Sequence, residues 1–284
     1  MALKTTPSDL AIQPRDYQFG RDAVHPRWWL NGDPVATAFF NALSATFPVG
    51  ERFFMDAVKA FRHKATGKLK EQIAQFLFQE ALHSREHVVF NQAAVKAGYD
   101  MKPLEDRARR HIAIAKSRPA ILQLAATSAL EHFTAILANA LLSDPRHLEG
   151  APEEAAQMWR WHAMEEIEHK AVAFDTYMVA MAGVPAFFRW LRRCVVMVFA
   201  TGIFLGAISG NIREVFRQDG IDTRETWGKL WRYLWVEPGV LRHVMKSYFA
   251  YYRPGFHPWE EDDRDLLRQA EAGMNRSVPL GVPA

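Results

Sequence analysis

Two Glu-x-x-His pairs, Glu80/His83 and Glu166/His169, constrain this chain more than any other feature. Each lies in a stretch of about thirty residues without glycine or proline, residues 68–97 and 153–182, which reads as helix throughout. Three residues apart on a helix is one face, so each pair presents a carboxylate and an imidazole together. One such pair is common by chance. Two of them, on two long helices, are the units that carboxylate-bridged two-metal sites draw from facing helices of a bundle.

Two further glutamates complete the pattern. Glu51 follows Phe47-Pro48-Val49-Gly50, and Glu131 lies in ATSALEHFTAILANALL, an apolar context in which an unpaired charge would be costly. Glu51, Glu80, Glu131 and Glu166 stand at similar distances from the turns joining their helices, so an up-down bundle brings them to one level. Hard carboxylates compensate two cations, and the histidines His83 and His169 add one neutral donor each. His162 lies one turn before Glu166 on the same face; it is a seventh ligand, a hydrogen-bond partner of one, or a core histidine. His87, one turn after His83, is expected to support a ligand or fill the core. Glu86, His132, Glu165 and Glu168 fall on other faces and read as surface or packing residues.

The chain divides into four parts. Residues 1–32, rich in proline, arginine and aromatics, read as an extended arm. Residues 33–183 hold the four long helices: one from Asp33-Pro34 to about Ala65, kinked or split at Pro48, then 68–97, 119–142 and 152–182, with a short helix in the connector 99–118. Residues 184–253 form an apolar and aromatic helical extension, and 254–284 an irregular tail. Nothing in 33–183 alternates as a strand would. The expected fold class is all-α: a ferritin-like four-helix bundle with additional C-terminal helices.

A net charge of +3 gives no basis for nucleic-acid binding. The basic excess is local: residues 186–255 carry 11 Lys and Arg against 5 Asp and Glu. Within them Cys194 to Ile212 has no charge, with Arg189, Arg192 and Arg193 before it and Arg213 and Arg217 after. That run is either a fifth helix buried against the bundle or one that meets an anionic membrane surface. The aromatic segment behind it suits the same surface or a homodimer contact. Cys194 is the single cysteine, read as a packed thiol in a reducing compartment. With no apolar leader at the N-terminus, the expected location is cytoplasmic, peripheral at the inner face of the membrane.

The runs FPVGERFFMDAV, FQEALHSREH, LEHFTA and WHAMEEIEHKAVAFD resemble the bacterial family described as predicted metal-dependent hydrolases, which is grouped with the ferritin-like bundles. The HxxxExxH of His162, Glu166 and His169 is also similar to the motif of p-aminobenzoate N-oxygenases, di-iron enzymes with an additional histidine ligand. These resemblances imply metal ligands at Glu51, Glu80, His83, Glu131, His162, Glu166 and His169, with the four glutamates catalytic. The expected cofactor is two metal ions, iron first, with manganese or zinc as alternatives. The favoured activity is O2-activating oxidation of a small hydrophobic substrate, fed by an electron donor. The alternatives are two-metal hydrolysis of an ester-like bond, and ferroxidase or non-enzymatic metal binding.

Overall fold

The computed structural model describes residues 5–21 and 24–274. The described residues contain helices and no strand. Helix α1 (Pro34–Ser44) starts where Asp33 Oδ1 accepts from the backbone N–H of Val35 at 2.7 Å and of Ala36 at 3.3 Å. Helix α2 (Phe47–Lys59) follows after a break at Ala45-Thr46, so Pro48 opens α2 and the expected first helix is split. Helix α3 (Gly67–Lys96) ends where Gly98, at φ +94°, lets Tyr99 N–H reach back to Ala94 O at 3.1 Å. Helix α4 (Lys102–Lys116) connects to α5 (Ala120–Ser143), which Pro119 precedes.

The fourth expected helix is two. Helix α6 (Glu153–His169) stops at Lys170, and α7 (Val172–Ala180) resumes after Ala171. No glycine or proline marks this break. It falls where the buried Lys170 ammonium is tied to Asp263 and, at 2.9 Å, to Glu261 O, and lies 4.1 Å over the Trp259 ring. Helices α2, α3, α5 and α6 each pack against two of the others, α2 on α3 and α5, α6 on α3 and α5, which closes a ring. Two apolar clusters fill it. One gathers Phe40, Phe90 and Trp159 beneath α1, and the other Phe53, Phe76, Leu124 and Val172 at the opposite end.

The extension is α8 (Ala186–Gln218), α9 (Arg224–Trp235) and α10 (Val240–Ala250). Helix α8 runs unbroken through Gly210 and packs on α1, α4 and α5. Arg193, expected to flank a membrane face, is instead buried, donating to Tyr251 O and, at 3.0 Å, to Arg253 O. The opposite face of α8 is open: Phe187, Leu191, Val195, Val198, Phe199 and Ile203 are exposed. Cys194 is half-buried, and burial raises its thiol pKa, as suits a packed cysteine. The tail is not irregular throughout, since α11 (Arg264–Gly273) packs on α6 and α5. Expectations for residues 1–4, 22–23 and 275–284 lie outside the described residues.

Candidate metal centre

The seven side chains singled out by the sequence meet in the ring of α2, α3, α5 and α6, all buried. They form two groups, in each of which the potential donor atoms lie within 4.8 Å of one another. Glu51, His83, His162 and Glu166 make the first; Glu80, Glu131 and His169 make the second. Glu166 reaches both. Its Oε1 is 2.8 Å from His162 Nε2 and 3.5 Å from His83 Nδ1, while its Oε2 is 3.5 Å from His169 Nε2. Glu80 Oε1 also lies between them, 3.2 Å from His169 Nε2 and 4.0 Å from His83 Nδ1. Glu131 Oε2 is 3.5 Å from His169 Nε2, and Glu51 Oε1 is 3.7 Å from His162 Nε2.

Each imidazole is held from behind. His83 Nε2 donates to Glu165 Oε2 at 3.1 Å, which leaves the Nδ1 lone pair facing inward. His169 Nδ1 donates to Gln79 Oε1 at 3.0 Å, leaving Nε2 inward. The tautomer of His162 follows from a longer chain. Ser44 gives its one proton to Asn91 Oδ1 at 2.7 Å, so its oxygen accepts from His87 Nδ1 at 2.9 Å. Burial, reinforced by His162 and His83, holds the His87 pKa well below the usual histidine value, so the ring is neutral. Its Nε2 therefore accepts from His162 Nδ1 at 2.7 Å, and the His162 Nε2 lone pair points at Glu166. Three imidazoles thus aim bare nitrogens at four carboxylates.

That arrangement lacks positive charge. Among the described residues no lysine or arginine pairs with Glu51, Glu80, Glu131 or Glu166. Glu80 and Glu131 have no hydrogen-bond partner at either oxygen; Glu51 Oε1, Glu166 Oε2, His83 Nδ1 and His169 Nε2 are equally unpartnered. Each such buried atom is expensive, by about 1–3 kcal/mol and more for a charge. Burial first, then the neighbouring carboxylates, drives Glu51, Glu80 and Glu131 well above the usual carboxylate range. Burial opposes ionisation of Glu166 too, but the adjacent imidazoles, His169 first, hold it well below that range. Two cations would supply the missing charge and partners, so this donor set fits metal ions.

Some of the flanking residues are not where the sequence suggests. Glu165, Glu168 and Glu86 were expected at the surface or in packing and are buried: α6 has no solvent face from Ala155 to Lys170 except a half-buried Arg160, and Glu86 faces the arm from α3. The arm covers them. Arg15 N–H donates to Glu165 Oε1 at 3.1 Å and its guanidinium to Glu168 Oε1 at 2.9 Å; Phe19 N–H donates to Glu86 Oε2 at 2.9 Å. Glu168 in turn accepts from Gln79 Nε2 at 3.0 Å. Arg15, Gln79, Ser44, Asn91 and Ser84, which donates to Glu51 Oε2 at 2.9 Å, were missed. The available signal was that EEIEHK runs into apolar residues on both sides, leaving no polar face for its glutamates. His132 is a packing residue, 5.0 Å from the Tyr251 ring and bonded to Ser247 O.

Described residues that are helical and strand-free, with buried His and Glu clusters suited to metal ions, define the class. A family model described as predicted metal-dependent hydrolase matches residues 13–262, and the chain belongs to that family. Comparison with curated proteins and with solved structures gives no match. The family supports a metal-dependent enzyme and favours hydrolysis, the alternative of the sequence reading, over the oxygenation which that reading preferred.

Proposed function

We propose that the chain is a two-metal hydrolase of ferritin-like bundle architecture, acting on an ester-like bond in a small, mainly apolar substrate. The observation that carries this is the set of buried, unpartnered donor atoms on Glu51, Glu80, His83, Glu131, Glu166 and His169. In this reading Glu51, His83, His162 and Glu166 would hold one ion, and Glu80, Glu131 and His169 the other. Two divalent cations there would act as Lewis acids, acidifying water and polarising the scissile carbonyl. The chain's own part is orientation and exclusion of bulk water. Glu165, Gln79 and His87 fix the three imidazole tautomers, and the arm seals the polar groups behind them.

The test is metal analysis of the purified chain with turnover of a 4-nitrophenyl alkanoate ester in and out of oxygen. About two ions per chain and hydrolysis that stops on chelation, with no need of O2, is the expected result. Full turnover after the metal is stripped would sink the proposal. A second reading, O2-dependent oxidation at a di-iron pair, draws on the donor set itself: four carboxylates and three imidazoles suit iron. Iron in the purified chain and oxidation of substrate only when O2 and an electron donor are supplied would favour it.

The open stripe of α8 is proposed to rest on an anionic membrane. The stripe is uncharged from Cys194 to Ile212, and Arg189, Arg192, Arg213 and Arg217 frame it. Flotation with phosphatidylglycerol vesicles but not with phosphatidylcholine vesicles is expected, and Val198→Glu with Phe199→Glu should abolish it. A stable dimer that hides the stripe and ignores both vesicles would replace the membrane with a second copy.

A further inference from the structure

A partly open cavity of about 50 Å³ leads to the first metal group and not to the second. His162 and Glu166 form its polar floor, and Phe39, Phe40, Leu43, Phe47, Leu137 and Leu141 much of its apolar wall. None of Glu80, Glu131 and His169 lines it. That is room for a few waters or one small ring, and it opens to solvent on one side; small-molecule sites use a few polar groups in an apolar wall to set orientation.

His147 is one of those groups. It sits in the short 3-10 turn Pro145–Leu148 that joins α5 to α6, and Asp144 caps that turn by accepting from Arg146 N–H at 3.1 Å. The ring is 2% exposed, lines the cavity, and leaves Nε2 with no hydrogen-bond partner. Burial lowers its pKa, with Asp144 opposing, so the ring is neutral at pH 7 and Nε2 can give or take one hydrogen bond. The floor of the cavity has a chemical use in the metal centre; the unpartnered nitrogen in the connecting turn has none within the chain.

We infer that this cavity is the substrate pocket, and that His147 Nε2 recognises a neutral hydrogen-bonding group on a substrate whose body is otherwise apolar. The inference deepens the proposed hydrolysis and rests on it for the nature of the floor. His147 is a positioning residue here, since it touches a part of the substrate away from the reacting bond.

The pair 4-propylphenol and propylbenzene, which differ by one hydroxyl, tests it by calorimetric binding to the full chain as purified. The phenol should bind about tenfold more tightly than the hydrocarbon, as one buried hydrogen bond predicts. His147→Leu should erase that preference while both still bind, His147→Gln should keep part of it, and Leu137→Trp should abolish binding of both. A preference that survives in His147→Leu, or a chain that binds neither compound, overturns the inference. Metal content and ester turnover measured on the same preparation separate the two claims. Discrimination without metal leaves the pocket standing and removes the hydrolase reading; metal with turnover and no discrimination does the reverse.

Discussion

The two halves of the centre use the same residue types and are built to different ends. The half of Glu51, His83, His162 and Glu166 has two imidazoles, backs onto Phe47 and Trp159, and forms the floor of the cavity. The half of Glu80, Glu131 and His169 has one imidazole, stacks against Phe76 at 4.9 Å, and meets no described cavity. An extra neutral donor adds affinity without adding negative charge, so the half that lines the cavity sets two imidazoles beside its two carboxylates where the enclosed half has one. Glu80 and Glu166 each lie near imidazoles of both halves. In the proposed function this is a division of labour: one position would be open to substrate and the other would hold charge in place.

Glu166 belongs to both halves, so its loss should have the largest effect. Glu166→Ala is expected to lower bound metal from about two ions to fewer than about one per chain, with turnover lost, as metal analysis would read. If one ion remains in full, the halves are independent and the shared oxygens mean nothing. Next in size, metal removal should make stability depend on pH. Glu51, Glu80 and Glu131 have folded pKa values raised above the unfolded 4.5, so the metal-free fold binds more protons than the unfolded chain. Its stability is greatest below pH 4.5 from these groups and is lost as pH rises. Between pH 5 and 7 the melting temperature of the stripped chain should fall by on the order of 10 °C relative to the loaded one. Parallel melting curves for the two forms would refute it.

Glu131→Ala and His162→Ala separate the halves. Glu131→Ala leaves the enclosed half with Glu80, His169 and the shared Glu166, and should release about one ion while the other stays. His162→Ala leaves three donors in the open half and should weaken that ion by less. Titration of metal into stripped variants would show which ion is missing.

How much of this could be read from residues alone follows from distance along the chain. Spacing within a helix is local, so the four helices and the convergence of Glu51, Glu80, Glu131 and Glu166 were legible from period and position. The break at Lys170 was not, because its anchor, Asp263, is 93 residues away. The burial of Glu165 and Glu168 was hidden for the same reason. Their partner Arg15 lies 150 and 153 residues off, in a segment without any helical period to align it. Helix α8 was ambiguous because composition does not say which face is covered. Helices α5 and α8 are both long and apolar enough to span a membrane, yet the apolar window of α5 is 56% buried and that of α8 33%.

The smallest expected effects lie one bond further out, and they sharpen the contrast between the halves best. Glu165→Ala removes the acceptor behind His83 and touches only the open half; Gln79→Ala removes the acceptor behind His169 and touches only the enclosed one. Each should weaken its own ion by about 10- to 100-fold. Arg15 stands behind both, through Glu165 and through Glu168 to Gln79. Burial pushes Glu165 up to about 7, and Arg15 works against that shift. Without Arg15, Glu165 stays protonated at neutral pH and becomes a poorer acceptor for His83, while Glu168 loses its ion pair. Arg15→Ala should therefore weaken both ions together, by several-fold rather than the larger factor of the direct partners. Equal shifts in two metal-binding isotherms would fit a common anchor; a shift confined to one would mean that the arm serves only that half.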